Sequence, residues 1–103
     1  MIIYNVTIKV DPEVHDDWLN WMRSNHIPDV MNTGCFVNSK LLKLKDLDES
    51  NGVTYAIQYF ADQREKLEEY QTEFAPKLQA EHTVRYKDKF VAFRTVMEQV
   101  ETY

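Results

Sequence analysis

A single cysteine, Cys35, permits no internal disulfide, which fits a reducing compartment. No neighbouring residue activates its thiol, so Cys35 reads as a small core residue at a strand start rather than a nucleophile. Positive charge is also in short supply: 12 Lys and Arg against 17 Asp and Glu leave a net charge of −5. Phosphate binding needs clustered cations that release counterions, so no nucleic acid is expected as a partner. The one basic run, Lys40 to Lys45, alternates with leucines and reads as an exposed strand face. No apolar run approaches the ~20 residues that span a bilayer, so no membrane is expected either. The opening Met1-Ile-Ile-Tyr-Asn-Val lacks a charged region before its apolar residues and does not read as a signal peptide. These absences predict a cytoplasmic protein. Length leaves no room for a second domain, so residues 1–103 are expected to form one. A 44% hydrophobic content with 13% aromatics suffices for its core, and 28% charged residues keep it soluble.

What is present is periodic. Ile2, Tyr4, Val6, Ile8 and Val10 alternate with Ile3, Asn5, Thr7 and Lys9, which predicts a first strand. Asp11-Pro12-Glu13 supplies a cap acceptor, a proline for the first helical position and an acid for the helix dipole. The helix that follows carries Val14, Trp18, Trp21, Met22 and Asn25 or His26 as one stripe. Ile27-Pro28 is expected to break or kink it, leaving Asp29 to Met31 as one more turn before Gly34. A second strand is read over Cys35 to Lys45, a turn ends in Asn51-Gly52, and a third strand runs from Val53 to Phe60. Asp62 is read as the cap of a second helix with the stripe Leu67, Tyr70, Phe74 and Leu78, interrupted at Pro76 and reaching about Tyr86. A fourth strand follows from Phe90 to about Val100.

The order βαββαβ predicts an α+β, ferredoxin-like fold: a four-stranded antiparallel sheet with two helices on one face. An internal echo supports it. A shift of 56 positions lays Val14, Trp18, Met22, His26 and Val30 on Tyr70, Phe74, Leu78, His82 and Tyr86. Two helices cover only one face of such a sheet, yet the strands carry apolar residues on both, among them Leu42, Phe60, Val91 and Phe93. A soluble monomer rarely exposes so large a patch, so a homodimer packed sheet on sheet is expected.

The run Trp21-x4-His26-Ile27-Pro28-x-Val30-x3-Gly34-x-Phe36 resembles the helix-one signature of the dimeric α/β-barrel superfamily, which includes antibiotic-biosynthesis-type monooxygenases and EthD-type proteins. The opening Ile-Ile-Tyr-Asn-Val-Thr, Gly52 to Tyr59, Ala75 to Thr83 and Phe90 to Thr95 resemble, more closely, a family of small bacterial proteins of unknown function within it. That resemblance implies a ferredoxin-like protomer in a dimeric barrel. It also implies a strand-one asparagine and a nearby arginine or tryptophan holding a carbonyl-rich substrate, which carries over to Asn5, Trp18, Trp21 and Arg94. Superfamily members often have an acid before the motif histidine, and here Asn25 stands there.

The residues themselves single out His26, read as the end of the first helix where carbonyls favour an imidazolium, and His82 in the second. Zinc is not expected, because two histidines 56 residues apart have no clear third ligand. Asn5, Gln58 and Arg94 are read as mid-strand polar groups on the less apolar face, where a buried group without a partner costs ~1 to 3 kcal/mol. Tyr55 and Tyr59 are read as lining either the same cavity or the dimer interface. The candidate catalytic residues are therefore His26, Asn5 and Arg94, and the candidate ligand contacts are Trp18, Trp21, Tyr55, Tyr59 and His82.

Three functions fit these residues. The first is a small-molecule-binding dimer with a pocket between sheet and helices that takes an apolar or aromatic ligand and needs no cofactor. The second is a cofactor-independent monooxygenase or isomerase, in which a base and oxyanion donors activate the substrate. The third, implied by the resemblance alone, is a haem-degrading monooxygenase with Asn5 and His82 in the asparagine and iron-ligand roles.

Overall fold

Alternation in Ile2–Val10 produces strand β1, which turns Tyr4, Val6, Ile8 and Val10 to one buried face. In the computed structural model, which describes residues 1–103, three strands join it: β2 (Asn38–Lys43), β3 (Val53–Ala61) and β4 (Phe90–Glu98). Their order is β2-β3-β1-β4, and every neighbouring pair is antiparallel. This is the ferredoxin-like arrangement expected. The second strand is shorter than Cys35–Lys45: Cys35 and Phe36 are instead buried in the loop that leads into it.

Two helical arms cover one face. The first is α1 (His15–Trp21) and α2 (Ile27–Met31), joined by a π turn over Met22–His26. The second is α3 (Arg64–Glu69) and α4 (Ala75–Arg85), joined by a π turn over Tyr70–Phe74. Neither proline ends its helix; the expected fault takes the form of a π turn ahead of each. A proline ring clashes with the carbonyl four residues back and has no N–H to give it. Here the turn before each proline widens: the Ile27 N–H bonds the Met22 carbonyl, and the Ala75 N–H bonds the Tyr70 carbonyl, each five residues back. The two π turns lie 48 residues apart, as do Pro28 and Pro76, so the arms correspond at 48 and not at the 56 suggested by their stripes.

Caps follow the sequence at one end only. Asp11 accepts from the Glu13 N–H at 2.8 Å, as expected, whereas the second arm starts after an extended Gln63 and Asp62 does not cap it. Gly34 ends the first arm at φ +77°, with its N–H on the Met31 carbonyl. Trp18, Met22 and Val30 from the first arm meet Leu67, Tyr70, Ala75 and Leu78 from the second over Ile57 and the β1 stripe. Asn25 is exposed, and His26 takes the inward place in the stripe.

Candidate functional site

Between the sheet and the arms lies a cavity of about 30 Å³, room for about two waters. Val6, Ile8 and Ile57 form its floor, Met22, Phe90 and Ala92 its apolar walls. Seven polar side chains face it: Tyr4, Tyr59, Tyr70, Gln79, His26, His82 and Arg94. No aspartate or glutamate lines it, and Arg94 has no carboxylate within ion-pair distance. Tyr4, Gln79 and Arg94 also line an outer groove of about 590 Å³, between α4 and β4, with Gln71, Ala75, Pro76 and Val96. These three residues are therefore the rim where cavity and groove meet.

His26 and His82 come from different arms, and their ring centroids lie 5.7 Å apart, edge to face. His26 is the last residue of a π turn within a continuing helix, so it does not face helix-end carbonyls as the sequence suggested. Burial pushes its pKa down to about 4; Asp29 opposes the shift and Arg94 adds to it. Its Nδ1 is buried without a hydrogen-bond partner. His82 is 6% exposed, a core residue and not a surface cap. Burial, then His26 and Arg94, push its pKa down to about 4 as well. Trp18 Nε1 donates to His82 Nε2 at 2.9 Å, so the proton of the neutral His82 ring sits on Nδ1. Both imidazoles are neutral at pH 7.

The tyrosines form a second group. Tyr4 stacks with its cross-strand partner Tyr59 at 6.2 Å and lies 5.8 Å from Tyr70. Burial raises the pKa of all three phenols, so each remains an O–H donor. Gln79 Nε2 donates to the Tyr4 hydroxyl at 3.3 Å, which ties the rim together. The lining is thus rich in donors and cation and poor in anions, a match for a ligand with a carbonyl, phenolate or carboxylate oxygen.

The structure brings His26, His82, Tyr59 and Arg94 into one cavity and leaves the other candidates outside its lining. Trp18 and Trp21 stand behind the histidines: Trp18 is fully buried, and Trp21 stacks on His26 at 5.1 Å and meets Tyr86 at 5.6 Å. Tyr55 faces the helices but bonds His15 Nε2 at 2.7 Å, away from the cavity. Asn5 is on the opposite face of the sheet, beside Thr7, because it alternates with Tyr4 and Val6. Arg94 does not share that face, as the sequence suggested; it pairs with Val6 and so points to the helices. Asn5 and His82 therefore cannot flank one haem, and His82 Nε2 is already taken by Trp18. No group of three His, Cys, Asp or Glu side chains is placed to hold a metal ion. Sequence reasoning missed Tyr4, Tyr70 and Gln79. Gln79 lies one turn before His82 on the same stripe, which was a usable signal.

A family model described as a domain of unknown function, DUF4286, matches residues 1–100. No curated protein matches the chain. Solved structures are similar over nearly the full length. An ethyl tert-butyl ether D (EthD) family protein from Bacillus halodurans is 15% identical with TM-score 0.68, over 97% of this chain and 100% of its own. A dimeric ferredoxin-like protein from an uncultured marine organism is 10% identical with TM-score 0.70, over 100% and 98%. SnoaB, a cofactor-independent oxygenase from Streptomyces nogalater, is 10% identical with TM-score 0.64, over 98% and 95%. At such identity these likenesses concern the fold alone.

Proposed function

The chain belongs to the DUF4286 family of domains of unknown function, and from that premise we propose that it binds a small aromatic molecule bearing an anionic or carbonyl oxygen, as a homodimer. The observation that carries the reading is Arg94 without a carboxylate partner, at the rim of a cavity lined by His26, His82 and three tyrosines and by no carboxylate. An oxygen anion at the rim satisfies the cation and reaches the Tyr4 and Gln79 donors, while the ligand body lies in the outer groove. The inner cavity alone is too small for a ring, so the groove carries the bulk.

The homodimer rests on the uncovered sheet face, where Val91 is 67% and Phe93 64% exposed. The dimeric fold neighbour supports it. Titration calorimetry with hydroxyaromatic carboxylates tests the binding: micromolar to millimolar affinity is expected, with Arg94→Gln weakening it at least ~10-fold, the value of one charge-assisted hydrogen bond. Absence of binding across the set, or unchanged affinity in Arg94→Gln, overturns the reading.

A cofactor-independent oxygenase is the second reading, favoured by the neutral His26 imidazole in the cavity lining. In it His26 takes a proton from the substrate, Arg94 and the phenols hold the resulting oxyanion, and dioxygen reacts with the carbanion. A pKa of about 4 makes His26 a weak base, which is why binding ranks first. Oxygen uptake on a quinol set, abolished in His26→Phe, separates the two.

A further inference from the structure

The uncovered face of the sheet is mixed, with apolar side chains on either side of one row that is polar throughout. Strand registers place Lys40 opposite Gln58, Gln58 opposite Asn5, and Asn5 opposite Thr95, so four polar side chains cross all four strands in a line. The row on one side reads Leu42, Ala56, Thr7, Phe93, and the row on the other Asn38, Phe60, Ile3, Met97. Lys9 and Lys40 are the only charges on the face, and the Lys40 Nζ lies 5.4 Å over the Phe60 ring. A face depleted of charge, with exposed Phe93, Val91 and Leu42, has the composition of an interface core.

Two of the row's side chains are amides at the centre of the sheet. Asn5 is only 8% exposed and gives its Nδ2 to the Thr7 hydroxyl at 3.1 Å; Gln58 makes no side-chain hydrogen bond. If a second copy covers this face, both lose their water and need partners, because an unpaired buried amide costs more than its hydrogen bond returns. An amide carries donor and acceptor together, so it pairs with another amide across a two-fold axis. A two-fold whose axis passes through the middle of this row brings Asn5 and Gln58 of one protomer against the same two residues of the other. Sliding the sheets by one row instead sets these amides against Leu42, Phe60 or Phe93.

Resting on the homodimer proposed above, we infer that Asn5 and Gln58 pair across the interface with the same residues of a second copy and set its register. The apolar rows supply the association, and the amide row selects one arrangement among those that bury similar area. The occupant is a second copy, since the row is complementary to itself.

Sedimentation of the full chain with Asn5→Leu, Gln58→Leu and the double variant tests this, with far-ultraviolet circular dichroism confirming the fold of each. Each single variant is expected to weaken the dimer about 10- to 100-fold, because it strands the amides left behind. The double variant is expected to return to within about threefold of the parent while showing more than one set of backbone amide resonances, since register is lost and affinity is not. A dimeric parent whose single variants leave the affinity unchanged, or whose effects simply add in the double variant, overturns the register inference and leaves the dimer standing. A parent that sediments at 12.3 kDa at all concentrations overturns both. Val91→Lys, on the same face but outside the row, is expected to dissociate the dimer; a dimer that withstands it overturns the choice of face.

Discussion

Lowering the pH from 7 to 5 is expected to destabilise this protein through two buried histidines. His26 and His82 are held near pKa 4 in the folded chain, and in the unfolded chain they return to ~6.5. Between these values the unfolded state binds more protons than the folded one, so stability rises with pH and is lost as pH falls toward 4. Worked through the linkage relation, each histidine removes ~2 kcal/mol between pH 7 and 5, and the pair ~4 kcal/mol. Part of the depression of His82 comes from His26, so the two losses are coupled and the pair's figure is an upper one. Against a typical domain stability of ~5 to 15 kcal/mol, that is a large fraction. Urea unfolding at pH 8, 7, 6 and 5, at one protein concentration, measures the slope, and His26→Phe, which keeps a ring against Trp21, is expected to reduce it by about half. A stability constant within ~0.5 kcal/mol between pH 7 and 5, or a full slope in His26→Phe, refutes the argument.

Trp18→Phe deletes the N–H that His82 Nε2 accepts and is expected to cost ~2 kcal/mol in urea unfolding. It also releases the tautomer, which nitrogen chemical shifts of His82 report; an unchanged tautomer counts against the role given to Trp18. Gly52→Ala places a Cβ 2.8 Å from Lys9 Cγ and 3.0 Å from the Val10 carbonyl oxygen, at φ +155°, and is expected to lower stability by more than ~1 kcal/mol. Asn51→Ala, one residue earlier and exposed, serves as the control, expected within ~0.5 kcal/mol of the parent. Phe93→Asp, on the uncovered sheet face, is expected to dissociate the proposed dimer while leaving the circular dichroism spectrum unchanged; sedimentation decides it.

The fold was legible because its signals are local. Period-two runs at Ile2–Val10 and Val53–Ala61 hold across each strand, and the Asp11-Pro12 start and Gly34 stop depend on backbone geometry within a few residues. The treatment of the prolines was not legible. A proline in a helical pattern announces a fault, but whether the helix stops or widens into a π turn depends on the packing of Met22 and Tyr70 on either side of the core.

The candidate site divides along the same line. Sequence alone determined that Tyr4 shares a strand face with Val6 and Ile8 and Asn5 does not, that both arms carry an apolar stripe, and that the sheet has an uncovered apolar side. Only the tertiary structure decided which stripes meet. Strand register turned Arg94 toward the helices by pairing it with Val6, and the packing of the two arms brought His26 and His82, 56 positions apart, to 5.7 Å. A side chain's face follows from its own neighbours in the chain, but its partner follows from how distant segments align, and that alignment is set by the whole core at once.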